Sequence, residues 1–124
     1  MEWDGTCGTL LPQPKMAEDP AFAVAAARIG VHFYTHHGQD YSDDYILDKA
    51  RSGVLRGIPV SLVNGRYDLL CPPMWSHETA MALREGGVDC SVDFVDGSGH
   101  AGSEPGIQKQ MREVMRKHRT RKYT

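Results

Sequence analysis

At 124 residues the chain is long enough for one domain with a buried core. Apolar residues make up 40 % and charged residues 24 %, which excludes a largely disordered protein. The formal net charge of −2 offers no footprint for nucleic acid, and no run approaches the roughly 18 apolar residues of a membrane span. Neither nucleic acid nor membrane is therefore expected as a partner.

Residues 1–19 carry Gly5, Gly8, Pro12, Pro14 and the acidic pair Glu18-Asp19, a loop-like composition. Met1-Glu-Trp-Asp has neither the basic start nor the apolar stretch of a signal peptide. Asp19-Pro20 reads as an N-cap followed by proline at the first helical position. The Ala-rich stretch from Ala21 to Ile29 then predicts a helix running to about Tyr34. Gly38 to Ser42 reads as a loop. Asp43 to Arg51 predicts a second helix, with Tyr45, Ile46 and Ala50 on one face.

Gly57-Ile-Pro breaks the chain, and Val60-Ser-Leu-Val-Asn after it has the look of a buried parallel strand. Pro72-Pro73 opens a helix through Arg84 that Gly86-Gly87 closes. Val88 to Val95 alternates with a period of two, a second strand. Asp96 to Gly99 is a turn, and a last helix covers Gly106 to about Lys117. The basic run from Arg112 to Lys122 reads as the solvated end of that helix, where cations suit the macrodipole. Strand, helix, strand, helix from residue 57 onward predicts an α/β fold with parallel strands.

Asp68 and His100 each follow one of those strands, in Gly65-Arg-Tyr-Asp68 and Gly97-Ser-Gly-His100. Sites in open parallel sheets gather at the C-terminal strand ends. A carboxylate there can fix an imidazole's tautomer and steady the imidazolium formed in reaction. The imidazole can move a proton between a nucleophile and a leaving group. An α/β-hydrolase ends in this order, acid then base, after a serine in a Gly-x-Ser-x-Gly elbow. No serine or threonine here sits in such an elbow. Ser98 is nearest in style but shares the loop of the base.

Other chemistry-bearing residues read more plainly. His32 and His36 have helical i, i+4 spacing beside His37, yet no third ligand is evident, so a polar helix end is expected and no metal. Cys71, flanked by Leu70 and Pro72, reads as a small buried hydrophobe. Glu104 before Pro105 reads as a cap on the last helix. Three cysteines, Cys7, Cys71 and Cys90, fit neither a zinc motif nor a disulfide framework; reduced thiols in the cytoplasm are expected.

Ala27-Arg-Ile, His32-Phe-Tyr, Ile58-Pro, Asn64-Gly-Arg-Tyr-Asp-Leu-Leu-Cys-Pro72 and Gly97-Ser-Gly-His-Ala-Gly-Ser-Glu-Pro-Gly106 together resemble the C-terminal part of proline iminopeptidases. These are serine peptidases of the α/β-hydrolase fold that release an N-terminal proline from peptides without a cofactor. The resemblance implies that residues 1–50 are the end of a helical cap and residues 51–124 the C-terminal part of the hydrolase core. It makes Asp68 and His100 the triad acid and base, and it puts the serine, in a Gly-Gly-Ser-Trp-Gly elbow, before residue 1. The chain alone would then be inactive. Two cap glutamates of the family hold the substrate's free amine. Asp4, in Trp3-Asp4-Gly5, stands in the place of one, a carboxylate on a shorter arm. Gly30, after Ala27-Arg-Ile, stands in the place of the other. A peptide with N-terminal proline is the implied partner, and a homo-oligomer of the full-length form is left open. Two other readings remain: a truncated, non-catalytic interaction module, and a hydrolase of other esters or amides.

Overall fold

The computed structural model describes residues 20–36, 41–42 and 44–120. Helix α1 spans Pro20–His36, starting at the proline that the sequence marks as its first turn and running two residues past the expected end. Asp19, its expected N-cap, lies outside the described residues. Alanine-rich propensity explains why the segment is helical, but burial does not: α1 has no buried residue and packs against no other element among the described residues.

Helix α2, Tyr45–Arg51, is shorter than expected and turns differently. Its inward side is Leu47 and Ala50, three residues apart, whereas Ile46 is 70 % exposed and Tyr45 also faces outward. The expected face of Tyr45, Ile46 and Ala50 is thus corrected. Ile46 lies one residue, about 100° of helical rotation, from the seam that meets the next helix.

Strand β1, Val60–Gly65, and strand β2, Cys90–Val95, pair in parallel with Val60 opposite Cys90 and Gly65 opposite Val95. Helix α3, Pro73–Glu85, makes the crossover between them. Gly87 closes it at φ +76°, the left-handed conformation that glycine adopts without a Cβ penalty. Val88 is buried just before β2 and belongs to the core rather than to the ladder.

Alternation along the strands separates the two faces of the sheet. Val60, Leu62, Cys90 and Val92 face α3, packing with Ala80, Ala82, Leu83, Val88 and Ala50. Ala80 and Ala82 are fully buried in this core, and α2 packs on α3. On the opposite face, Ser61 and Ser91 bond to each other, and Ser61 also meets the His118 ring of helix α4, Pro105–Thr120. A helix on each face of a parallel pair is the α/β layering that the strand order implied. No helix among the described residues is long and apolar enough to cross a membrane.

Candidate active site

Both loops that leave the C-terminal strand ends are tied to one another. The Arg66 N–H donates to the Val95 carbonyl at 3.0 Å, which extends the ladder by one step. The Tyr67 N–H donates to the Ser98 carbonyl, also at 3.0 Å. Gly65 permits this contact: a Cβ on it would lie 2.0 Å from the Gly99 carbonyl oxygen and 2.6 Å from that of Ser98. The approach is closed to any residue with a side chain, and it brings the Asp68 loop against the His100 loop.

Asp68 is buried at 6 % exposure at the end of a turn whose N–H donates back to the Gly65 carbonyl. Its Oδ1 accepts the backbone N–H groups of Leu70 at 3.0 Å and Cys71 at 2.8 Å. This is the local turn bonding an aspartate makes after a strand, and here it also fixes the carboxylate. The His100 Nδ1 lies 3.0 Å from Oδ2 and 3.2 Å from Oδ1. An ionised carboxylate only accepts, so Nδ1 carries the proton and Nε2 is the free lone pair. The His100 side chain is 42 % exposed, so that lone pair can meet a reactant, while its partner stays sheltered from water.

The structure therefore brings together the two residues that the strand pattern singled out. Asp4, the third, lies outside the described residues, as does His37. His32 and His36 are exposed, their rings stacked at 4.8 Å, and His36 Nδ1 bonds to the His32 carbonyl and the Thr35 hydroxyl. They form a polar helix end.

Two readings of this region are corrected. Cys71 is exposed, not a buried hydrophobe, because the Asp68 turn holds its backbone at the surface. Its thiol, an Asp68 oxygen and a His100 nitrogen lie within 4.8 Å of one another, so these are the residues that could hold a borderline-soft cation. Asp68 Oδ1 accepts the two backbone N–H groups and Oδ2 faces the imidazole, so a cation would compete with His100 for Oδ2. Glu104 does not cap α4 with its side chain. It is 1 % exposed and turns back to accept the Gly99 and Ala101 N–H groups, on either side of His100.

Asn64, which sequence reasoning passed over, supports the same end of the sheet. It is buried, donates to the Gly65 and Cys71 carbonyls, and accepts the Ser76 hydroxyl at the start of α3. Its position on the same strand face as apolar Val60 and Leu62 was the available signal, since a buried amide needs partners.

A parallel strand pair between helices, with an aspartate and a histidine joined at the strand ends, defines part of an α/β-hydrolase core. No family model matches the chain. The chain is 34 % identical over 101 residues to the proline iminopeptidase of Arabidopsis thaliana, covering 82 % of this chain and 25 % of that protein. It is 32 % identical over 108 residues to a probable proline iminopeptidase of Leptolyngbya boryana, covering 85 % of this chain and 32 % of the relative. With the proline iminopeptidase of Xylella fastidiosa strain Temecula1 it shares 33 % identity over 106 residues, 83 % of this chain and 32 % of the relative. Over more than four fifths of its own length the chain is thus similar to proline iminopeptidases, which are α/β-hydrolases. The chain spans between a quarter and a third of the length of these curated relatives.

Proposed function

We propose that the chain supplies the acid and base of a proline-iminopeptidase-like serine hydrolase. The observation that carries this is the contact between His100 Nδ1 and both oxygens of buried Asp68, at the C-terminal end of a parallel strand pair. In this reading residues 51–124 are hydrolase core and residues 1–50 the end of a cap over the site, with α2 at the seam.

The mechanism follows from the tautomer. With Nδ1–H held by Asp68, Nε2 accepts the proton of a serine hydroxyl as its oxygen attacks the scissile carbonyl. The imidazolium so formed lies against a carboxylate that stabilises it, and returns its proton to the departing amine. A water then repeats the sequence on the acyl-enzyme. The serine belongs to an elbow that this sequence does not contain, so the 124-residue chain by itself has no turnover of this kind.

Peptides with an N-terminal proline are the substrates the relatives' names suggest. The test is hydrolysis by the complete protein of proline naphthylamide, its N-acetylated form and a simple naphthyl ester. The reading expects the free-amine amide to be strongly preferred. Equal rates on the acetylated compound would remove the aminopeptidase assignment and leave a broader hydrolase. That second reading draws on Gly30, which offers no carboxylate to an ammonium where the resemblance places one.

A further inference from the structure

We propose that Glu104 is the positioning residue for His100, fixing the loop that aims the imidazole; this rests on the reading of His100 as the catalytic base. Gly97-Ser-Gly-His100 carries its imidazole to the surface through a turn whose backbone leaves the ladder after Val95. The N–H groups of Gly99 and Ala101 flank His100 and have no strand or helix partner of their own. Glu104 meets both. Gly99 N–H donates to Oε1 at 3.1 Å and to Oε2 at 3.0 Å, and Ala101 N–H donates to Oε1 at 3.3 Å. One carboxylate thus grips the chain immediately before and immediately after the histidine.

The grip is anchored at its other end. Glu104 N–H donates to the Ala101 carbonyl at 3.0 Å, closing the turn, and its own carbonyl accepts the Gln108 N–H in the first turn of α4. The start of the helix is therefore coupled to the His100 loop by this backbone bond and by a side chain at 1 % exposure. A carboxyl group that deeply buried is tolerated only where its oxygens are satisfied, and here N–H groups meet both. Asp68 fixes the imidazole from one side by its ring nitrogen; Glu104 fixes the backbone from which the ring hangs. Neither task can be done by the other residue.

An acceptor-only group is needed. Glutamine has the same shape but turns one oxygen into an amino group, which would face the Gly99 N–H donor to donor. Glu104→Gln therefore perturbs the loop without opening a cavity, while Glu104→Ala removes every acceptor. The test uses the complete protein, with kinetics on proline naphthylamide and NMR of 15N-labelled histidine. The low-field proton of His100 Nδ1 reports its bond to Asp68. For Glu104→Gln we expect kcat to fall on the order of 100-fold, as small misplacements of catalytic groups do, with KM unchanged and the low-field proton lost or shifted. Glu104→Ala is expected to show the larger change of both.

Wild-type kcat and an unmoved resonance in folded Glu104→Gln would overturn the proposal. So would a lower kcat with the resonance in place, and so would a Glu104→Gln variant that fails to fold, which would make the residue merely structural. A lost resonance in Glu104→Gln together with full hydrolysis by His100→Ala would uphold the positioning role and reject the catalytic reading of His100 instead.

Discussion

Asp68 and His100 lie 32 residues apart in sequence, and their contact depends on a residue with no chemistry of its own. Gly65 lets two loop backbones approach to a distance that a single methyl group would forbid. Gly65→Ala should destabilise the fold by about 1–3 kcal/mol, the usual range for overpacking, and should separate the two loops. Thermal denaturation checks the first effect, and loss of the His100–Asp68 proton resonance checks the second. A wild-type melting temperature would show that the loops relax freely.

The two described cysteines differ at the same scale. Burial pushes the Cys90 thiol above its ordinary value of 9.0, with Arg84 pulling it down less strongly and Asp89 adding to the rise. The native state then holds that proton more tightly than the unfolded chain does. Its contribution to stability is whole below about pH 9 and is lost as pH rises through the folded-state value. Unfolding monitored by urea at pH 8 and at pH 10 should show lower stability at the higher pH, less so in Cys90→Ala. At neutral pH iodoacetamide should modify exposed Cys71 and spare Cys90, read by mass spectrometry of the peptides.

Among the elements, the strands and the crossover helix are held by tertiary packing, whereas α1, helical by propensity, packs against no other element among the described residues. Gly30 lies within it, and a Cβ there would meet nothing within 4 Å. Gly30→Glu is therefore sterically open and should raise helicity by several tenths of a kcal/mol. If α1 roofs the site as the resemblance implies, the added carboxylate should lower KM for proline naphthylamide and leave KM for the N-acetylated compound unchanged. Equal KM values before and after would place position 30 away from the amine.

The elements that sequence reasoning drew most accurately are those with a strong period or a covalent marker. A short β-branched, mostly apolar run after Gly57-Ile-Pro delivered β1, alternation delivered β2, Pro20 and Pro73 marked helix starts, and Gly87 marked an end. The misassigned face of α2 and the exposure of Cys71 share a cause. Both depend on which side a partner lies, and seven residues of helix or three of turn are too few for periodicity to reveal it. Glu104 was legible as a helix-start residue because of Pro105. Its turn back toward Gly99 was not, since that direction is set by a loop closed through tertiary bonds.

At the scale of the molecule, a two-stranded sheet carries its site at one end, and large apolar side chains remain exposed on α1 and α4, among them Phe22, Ile29, Phe33, Met111 and Met115. The fold positions an acid and a base; the resemblance supplies the chemistry those two groups would serve. The claim that joins them is that Asp68 exists to hold and charge-stabilise His100. Replacing Asp68 by asparagine keeps the shape of the site but lets Nδ1 accept rather than donate, which leaves Nε2 protonated and unable to act as base. The measurement is kcat for proline naphthylamide in the complete protein carrying Asp68→Asn. A fall on the order of 10⁴-fold with the fold intact is the predicted result, and a kcat within a few-fold of the unaltered protein would contradict the account.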